Sequence, residues 1–165
     1  MDYIQKEEET QNAYANLDNR GEANVYETLN LNANPSKEDG SCADGWQRFK
    51  SSYYYVSTEA KDWSTSRKDC QTKQGDLVVI DSREEHEFLV TWKKNFTVFW
   101  IGLSDIETEG VWTWVDGTRL HQEYWKSGEP NNVGQDEDCA VSHHSSWLHW
   151  NLQLWNDISC STKSH

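Results

Sequence analysis

The tryptophans and phenylalanines of this 165-residue chain are confined to one part of it. All ten tryptophans, all four phenylalanines and all four cysteines lie after residue 41. Large aromatic side chains supply much of the apolar area that a small core buries. A folded core is therefore predicted for residues 42–165, a length that suits one compact domain.

Residues 1–41 have the opposite composition. They contain nine acidic and three basic residues, Asn is frequent, and the apolar residues follow no regular period. Because such a segment has little apolar surface to bury, it cannot offset the entropy cost of ordering its chain. We predict a disordered acidic tail over residues 1–41, of which 34–41 form a linker.

The charge and the short apolar runs argue against two classes of function. The formal net charge is -13 at pH 7, whereas nucleic-acid binding requires a basic surface. The longest apolar runs, such as residues 77–80, are much shorter than the ~20 residues of a membrane helix, and the N-terminus lacks an apolar export segment. We therefore expect no nucleic-acid partner, no membrane span and no export signal in this chain.

The four cysteines are far apart in the sequence. None of them forms a C-x-x-C pair, which argues against a zinc ribbon, and their spacing is typical of disulfides in an exported domain. An exported domain without an export signal is a conflict that the sequence leaves open. The residues are Cys42, Cys70, Cys139 and Cys160.

Local patterns predict two helices followed by a series of short strands. The first helix is expected over residues 62–73, with Gly75 as its stop. The second helix runs to about residue 94 from a capping box at 82–85, in which the Ser hydroxyl accepts from a free backbone N–H and Glu85 reaches back. Strands are expected at residues 53–56, 77–80, 99–103, 111–115, 139–142 and 155–160. This set of elements is typical of an α+β domain.

Carboxylate and amide side chains are concentrated in residues 129–138 and at Asn156 and Asp157. Calcium binds several oxygen ligands of this kind. A cis Glu129–Pro130 bond would direct the side chains on both sides of the proline to one point. The alternative is a solvated acidic surface loop, but the Trp-Asn-Asp segment and the flanking cysteines favour a calcium site, although not one of the EF-hand type.

The joint order of these motifs resembles the C-type lectin-like domain over roughly residues 42–165. The residues that carry the resemblance are 63–70, Gly-Asp-Leu at 75–77, Trp-Ile-Gly-Leu at 100–103, Glu-Pro-Asn at 129–131, Glu-Asp-Cys at 137–139 and Trp-Asn-Asp at 155–157. Residues 129–139 are most similar to the mannose-type type II receptors grouped around DC-SIGN. The resemblance implies two helices, small antiparallel sheets and a long calcium-binding loop region.

The resemblance also implies two Ca2+ positions, with a sugar bound at the principal one. The principal ligands would be Glu129, Asn131, Glu137, Asn156 and Asp157, which would also hydrogen-bond two adjacent sugar hydroxyls, while Val133 would add an apolar contact. The auxiliary calcium, which would rigidify the loop, would use Asp105, Glu109, Asn132, Glu137 and Asp138. A carboxylate accepts and an amide donates, and the Glu-Pro-Asn order implies glycans bearing mannose, fucose or N-acetylglucosamine.

The chain departs from the family pattern in three places. The family's core disulfide would join Cys70 to a cysteine in a final strand, which is expected to be missing here. Tyr53 stands where a partner for Cys42 is expected, so only the implied Cys139–Cys160 pair is complete. A missing strand would expose a sheet edge. Residues 143–154 form a longer connection than usual and could extend or block the sugar site.

Two Y-x-x-L motifs lie in the acidic tail, at Tyr14 and Tyr26. Their spacing resembles an immunoreceptor tyrosine-based activation motif, and phosphorylation would add charge that phosphotyrosine-binding signalling proteins recognise. An endocytic signal and a linker with chance tyrosines are the alternatives. Tail and domain together resemble a type II plasma-membrane receptor with an extracellular lectin domain, but without its membrane helix.

The sequence predicts a binding protein and no catalysis, because no nucleophile is paired with a base. The leading hypothesis is a calcium-dependent lectin of the immune-receptor type. The alternative is a protein-interaction or signalling module of the same fold that binds no sugar. Asn95 begins a glycosylation sequon, which matters if the domain enters the secretory pathway. The histidines at 143, 144 and 149 fit no common metal motif, so solvated loop positions are favoured over a zinc site.

Overall fold

The computed structural model describes residues 2–8, 15–17, 23–25, 45–57, 59–92, 98–143 and 152–163. Within these ranges the helices are α1 (Trp63–Thr72) and α2 (Arg83–Trp92). The strands are β1 (Asp2–Glu8), β2 (Ala15–Leu17), β3 (Ala23–Val25), β4 (Trp46–Phe49), β5 (Ser52–Val56), β6 (Asp76–Leu77), β7 (Val98–Ser104), β8 (Thr113–Trp114), β9 (Cys139–His143) and β10 (Trp155–Ile158). The predicted α+β class with two helices is confirmed.

One eight-stranded sheet joins most of these strands. Its main path runs β10–β9–β7–β1–β5–β4, with β6 paired to β1 and β8 paired to β7. The pairs are antiparallel except for β1 and β7, which run parallel. β2 and β3 form a separate two-stranded sheet. The chain's first strand therefore lies at the centre of the main sheet.

The predicted disorder of residues 1–41 is wrong for residues 2–8, which form β1. This strand pairs with β5 from Ile4 to Glu8, with β6 at Gln5 and Lys6, and with β7 at Asp2 and Tyr3. β2 and β3 also fall within the predicted tail. The rest of that tail, with Tyr14 and Tyr26, lies outside the described residues, and so do Cys42, Asn95, His144 and His149.

The side chains of β1 explain why this polar segment joins the sheet. Tyr3 and Ile4 are almost fully buried and pack in the two parts of the core. Lys6 forms ion pairs with Asp81 at 2.6 Å and with Glu85 at 3.1 Å. Although burial lowers the pKa of Lys6, these two carboxylates raise it above its ordinary value. The segment's charge is thus neutralised by partners that are more than 70 residues away in the sequence.

Both predicted helices are present, and each begins at a side-chain cap. The Asp62 carboxylate accepts from the Thr65 N–H at 2.9 Å, and α1 buries Trp63, Ser66 and Cys70. The predicted capping box of α2 is present in altered form. The Ser82 hydroxyl accepts from the Glu85 N–H at 3.2 Å, but Glu85 reaches back to the N–H of Asp81 at 2.9 Å. Such contacts satisfy backbone donors that a helix leaves free.

Several predicted strands are shorter in the structure. The 77–80 strand is limited to β6, after which the chain leaves the ladder, and Val78 donates its N–H to Ile4 O at 2.9 Å. The 111–115 strand is limited to β8. The 155–160 strand ends at Ile158, because Ser159 begins a turn that is closed by a hydrogen bond from the Thr162 N–H.

Tryptophans dominate the larger part of the core, as predicted. Trp112, Trp114, Trp125 and Trp155 are buried there, and Trp100 is buried in the smaller part beside Trp63 and Cys70. Gly102 follows Trp100 on β7, where a Cβ would lie 2.7 Å from Val115 and 2.9 Å from Leu77 O. Only glycine lets β7 approach these neighbours so closely.

In the part of the chain that the structure describes, no helix has the length and apolar character needed to cross a membrane.

The predicted Cys139–Cys160 disulfide is present, and it joins β9 to the turn after β10. It closes a loop between two positions that are 21 residues apart, and loops of about this size restrict the unfolded chain by about 3 kcal/mol. Cys70 is a free, buried thiol. The covalent brace therefore lies next to the residues that were predicted to bind calcium.

We expect the Cys70 thiol to be unreactive in the native protein. It is fully buried, and burial raises its pKa to about 12, so the reactive thiolate is scarce at neutral pH. In a Cys42→Ser background, a colorimetric thiol reagent should react with Cys70 only after denaturation. A Cys42→Ser/Cys70→Ser protein provides the blank. Fast labelling of native Cys70 would contradict its burial.

Candidate functional site

Asp157 anchors the loop formed by residues 129–138. It is fully buried on β10. Its carboxylate accepts from the Asn131 N–H at 2.9 and 3.1 Å and from the Asn132 N–H at 2.7 Å. β10 is itself held against β9, where Asp157 lies opposite Ala140. A residue predicted to ligate calcium therefore also fixes the loop to the sheet.

A hydrogen-bonded chain joins three more of the predicted principal residues. Asn131 Nδ2 donates to Glu129 Oε2 across the Glu129–Pro130 bond, which is cis as predicted. The Val133 N–H donates to Asn131 Oδ1 at 3.0 Å and to Glu137 Oε2 at 2.8 Å. Glu129, Asn131, Glu137 and Asp157 are thus brought together. The Val133 side chain is 66% exposed beside them.

The carboxylates of this network repel one another. Burial raises the pKa of Glu129, and the nearby carboxylates of Asp157 and Glu137 raise it further, against a smaller opposing effect of Asn131. A raised pKa means that the negative charge of Glu129 is disfavoured where it lies. A cation beside these groups would relieve that repulsion. The donor set therefore fits a hard cation, which prefers carboxylate and amide oxygens.

The residues predicted for the auxiliary position form an adjoining network. Asn132 Nδ2 donates to Glu109 Oε1 at 2.7 Å, and Asn132 Oδ1 accepts from the Glu137 N–H at 3.2 Å. The Asp105 N–H donates to Asp138 O at 3.1 Å. These contacts bring the loop at 105–110 against the loop at 129–138.

Asp105 is the buried carboxyl of this second network. Its Oδ2 accepts from the Gly110 N–H at 2.8 Å, whereas Oδ1 has no hydrogen-bond partner among the described residues. Burial raises the pKa of Asp105, and Glu109 and Asp138 add to that effect against the lowering by Gly110. A buried carboxylate oxygen without a partner beside two further carboxylates is suited to a cation.

Among the predicted principal ligands, Asn156 has the least contact with the rest of the network. Its Nδ2 donates to Asp157 O at 2.9 Å. Because side chains alternate along a strand, Asn156 is half-buried where Asp157 is fully buried. Across the described ranges, no three carboxylate, imidazole or thiol side chains converge as metal ligands do. The proposed ligands are therefore neighbours in hydrogen-bonded networks, and the full ligand sets stay predictions.

The sequence did not predict two ionisable residues beside this site. The Lys126 N–H donates to Trp155 O at 2.9 Å, and Lys126 O accepts from the Glu129 N–H at 3.0 Å, so Lys126 links β10 to the loop. Burial lowers the pKa of Lys126, and burial together with the Lys126 charge lowers the pKa of His143. His143 is half-buried on β9, so a solvated loop position is wrong for it. Their local sequence carries no signal, because β9 places His143 here and the hydrogen bond to Trp155 places Lys126.

Relatives of this chain are found among curated proteins. It is 46% identical over 121 residues to C-type lectin domain family 4 member E of Homo sapiens, an alignment that covers 72% of this chain and 54% of the relative. It is 38% identical over 144 residues to CD209 antigen-like protein A of Mus musculus, covering 85% and 57%. The chain thus spans about half the length of the curated relatives it matches.

Solved structures share the fold. The mouse scavenger receptor C-type lectin carbohydrate-recognition domain matches with a TM-score of 0.66 and 33% identity, covering 74% of this chain and 90% of that chain. The cow carbohydrate-recognition domain of CD23, solved in the presence of a GlcNAc2Man3 oligosaccharide, matches with a TM-score of 0.65 and 36% identity, covering 74% and 89%. The murine dendritic cell inhibitory receptor 2 domain, in complex with N-glycan, matches with a TM-score of 0.64 and 30% identity, covering 74% and 93%.

The family model of the lectin C-type domain matches residues 59–165, well over half of the chain. The match contains α1, α2, the disulfide and both hydrogen-bonded networks of the site. The chain belongs to the C-type lectin domain family.

Proposed function

We propose that this domain is a calcium-dependent lectin for glycans bearing mannose, fucose or N-acetylglucosamine. The observation that carries the proposal is the network of Glu129, Asn131, Glu137 and Asp157, which gathers acidic and amide groups beside an exposed loop. Two structural relatives were solved with oligosaccharide or N-glycan. Both facts support the proposal without identifying the sugar.

Calcium would be held by the same oxygen donors. The principal ion would use Glu129, Asn131, Glu137, Asn156 and Asp157, and the auxiliary ion would use Asp105, Glu109, Asn132, Glu137 and Asp138. When bound, the ion would neutralise the clustered carboxylates and attract the hydroxyl oxygens of a sugar. The raised pKa of Glu129 and the unpaired Asp105 Oδ1 support these positions.

The side chains around the principal position are suited to a pair of adjacent hydroxyl groups. Asn131 Nδ2 already donates to Glu129 Oε2, so a donor and an acceptor lie side by side. A hydroxyl can accept from the amide and donate to the carboxylate. Val133 is exposed beside them and would contact an apolar part of the sugar. We propose no catalytic role for these residues.

A second candidate is a protein-interaction module of the same fold that binds no sugar. The observation that favours it is the free thiol of Cys70, which leaves unformed the core disulfide that the family resemblance implies. Under this alternative, the network at 129–138 would stabilise a loop surface without calcium. The two candidates differ in their response to calcium and to a sugar column.

The tyrosine motifs at Tyr14 and Tyr26 remain a separate proposal. Both would be recognised by phosphotyrosine-binding proteins if they were phosphorylated. However, β1 precedes both motifs in the sequence and β4 follows them, and both strands belong to the eight-stranded sheet of the lectin domain. A receptor tail separated from the domain by a membrane would therefore require β1 to leave the sheet.

The lectin proposal is tested on immobilised mannose. We expect the folded protein to be retained in calcium and released by a chelator. Calcium should also raise the melting temperature, because a ligand that binds the native state stabilises it. Passage through the column in calcium, or retention that ignores the chelator, would contradict the proposal. A calcium-independent melting temperature together with no retention would favour the protein-interaction module.

A matched variant separates sugar recognition from the fold. Glu129→Gln/Asn131→Asp keeps the size and the net charge of the site but exchanges its acceptor and its donor. We expect this variant to lose retention on mannose while its calcium-free melting temperature stays close to that of the parent. Undiminished retention would show that the Glu-Pro-Asn segment does not contact the sugar.

A further inference from the structure

We propose that β1 is an exchangeable strand, and that its position between β5 and β7 also accepts residues 2–8 of a second copy of this chain. The product would be a dimer in which two domains donate β1 to each other. This inference is independent of whether the domain binds a sugar.

The first observation is the place of β1 in the sheet. On one side it pairs with β5 from Ile4 to Glu8, and on the other with β7 and β6. Among the described strands, β1 is the one link on the main path of the sheet between β4–β5 and β7–β9–β10. An unpaired strand edge is a template for another strand. A domain without its own β1 would therefore present two edges that face one another.

The second observation is that this slot is shaped for a strand of this sequence. The Tyr3 hydroxyl donates to Asp69 Oδ2 at 2.9 Å, and Lys6 pairs with Asp81 and Glu85. Gly75 forms part of the wall, where a Cβ would lie 2.8 Å from Lys6 O. Ile4 is fully buried in the larger core. A second copy carries the same side chains and would make every one of these contacts without change.

The third observation is the length of chain between β1 and the rest of the sheet. The connection to β4 spans residues 9–44, which number 36. The connection could still span up to ~80–90 Å with its remaining 25 residues extended, even while residues 15–25 are folded back by the β2–β3 pairing, and this is well beyond the width of a small domain. It therefore permits β1 to reach either its own slot or that of a neighbour. Exchange of an identical element between copies is a low-cost route to a dimer because the contacts are unchanged.

The two arrangements differ mainly in concentration dependence. A strand tethered to its own slot competes at an effective concentration that does not change with the protein concentration. Its own slot is therefore favoured in dilute protein, and exchange is favoured in concentrated protein or after concentrated refolding. A dimer formed in this way would carry two copies of the candidate site, so a multivalent glycan would bind it with avidity.

The test uses a cysteine pair across β1 and β5. Glu7 lies directly opposite Tyr53 in the antiparallel register, a separation that suits a disulfide. One chain carries Glu7→Cys and another carries Tyr53→Cys, both in a Cys42→Ser/Cys70→Ser background. Neither chain can form this disulfide within itself. We expect a covalent heterodimer of twice the monomer mass after the two are refolded together at high concentration and oxidised.

Two controls make each outcome decisive. A single chain with both substitutions should form the same disulfide within a monomer when it is refolded dilute, which shows that the pair can be oxidised. Each single-cysteine chain refolded alone should give no covalent dimer. Monomers from the mixture, together with a cross-linked monomer from the double variant at every concentration, would overturn the proposal.

A second measurement covers the case in which the double variant does not oxidise. Light scattering on the unmodified chain should then show twice the monomer mass after concentrated refolding and the monomer mass after dilute refolding. A monomer mass after both treatments would also overturn the proposal. A dimer that forms equally well without residues 1–8 would overturn it too, because β1 would then not be the exchanged element.

Discussion

Asp157→Ala is expected to release the loop at 129–138 and to remove all retention on mannose. The buried carboxylate accepts from two consecutive backbone N–H groups, those of Asn131 and Asn132. Hydrogen bonds to a charged group contribute more than neutral ones, so we expect a loss of about 2–4 kcal/mol in the free energy of unfolding. Urea denaturation in calcium-free buffer measures the loss, and the mannose column measures retention.

Two matched variants separate the structural role of Asp157 from its proposed role as a calcium ligand. Asp157→Asn keeps an acceptor oxygen but loses the charge. We therefore expect it to be more stable than Asp157→Ala but still not to be retained on mannose. Asn156→Ala removes the neighbouring side chain, whose hydrogen bond is to Asp157 O, and should change stability by under about 0.5 kcal/mol. A comparable destabilisation by Asn156→Ala would show that Asp157 is not the specific anchor.

Trp155→Ala is expected to cause the largest loss of stability among substitutions near the site. Trp155 is fully buried, and its ring packs edge-on against Trp114, Tyr124 and Trp125 at centroid distances of 5.6, 5.2 and 5.7 Å. Removing a buried tryptophan costs about 3–5 kcal/mol because of lost transfer energy and the cavity that remains. Circular dichroism during urea unfolding measures it.

Trp155 also has a polar partner, His86, whose hydrogen bond is not included in the loss of about 3–5 kcal/mol. Its indole N–H donates to His86 Nε2 at 3.2 Å. Because burial lowers the pKa of His86 to about 3, the imidazole is neutral, and an Nε2 that accepts from an indole places the ring proton on Nδ1. Trp155→Phe keeps one aromatic ring and removes this donor together with the other ring of the indole, so it should be destabilised less than Trp155→Ala.

A less buried tryptophan provides the control for Trp155→Ala. Trp46 lies half-buried on β4 against Tyr55 at 5.5 Å, so Trp46→Ala should cost much less than Trp155→Ala. Equal losses at the two positions would contradict the view that the aromatic cluster beneath β10 supports the site. Because Asn156 and Asp157 follow Trp155 on the same strand, we also expect Trp155→Ala to weaken retention on mannose.

Local chemistry made part of this structure predictable. The cap at Asp62 and the capping box at Ser82 depend on residues within three or four positions, so both helices could be read from the sequence. The site loop was also predictable, because Glu129, Pro130 and Asn131 are adjacent. The Cys139–Cys160 pair came from the family resemblance, and the structure confirms it.

Contacts between distant residues decided what the sequence could not. Residues 2–8 have the composition of a solvated segment, and they form a strand only because β5, β6 and β7 provide hydrogen-bonding edges and because Asp81 and Glu85 neutralise Lys6. The burial of His143 and the position of Lys126 depend in the same way on β9 and β10.

The sequence by itself thus indicated the family and the helices, and it predicted the candidate calcium loop, because these follow from neighbouring side chains and from motifs in order. Only the tertiary structure decided that residues 2–8 lie in the middle of the main sheet. The free energy of burying Tyr3 and Ile4 exists only once strands from more than 40 residues away have formed the slot that receives them.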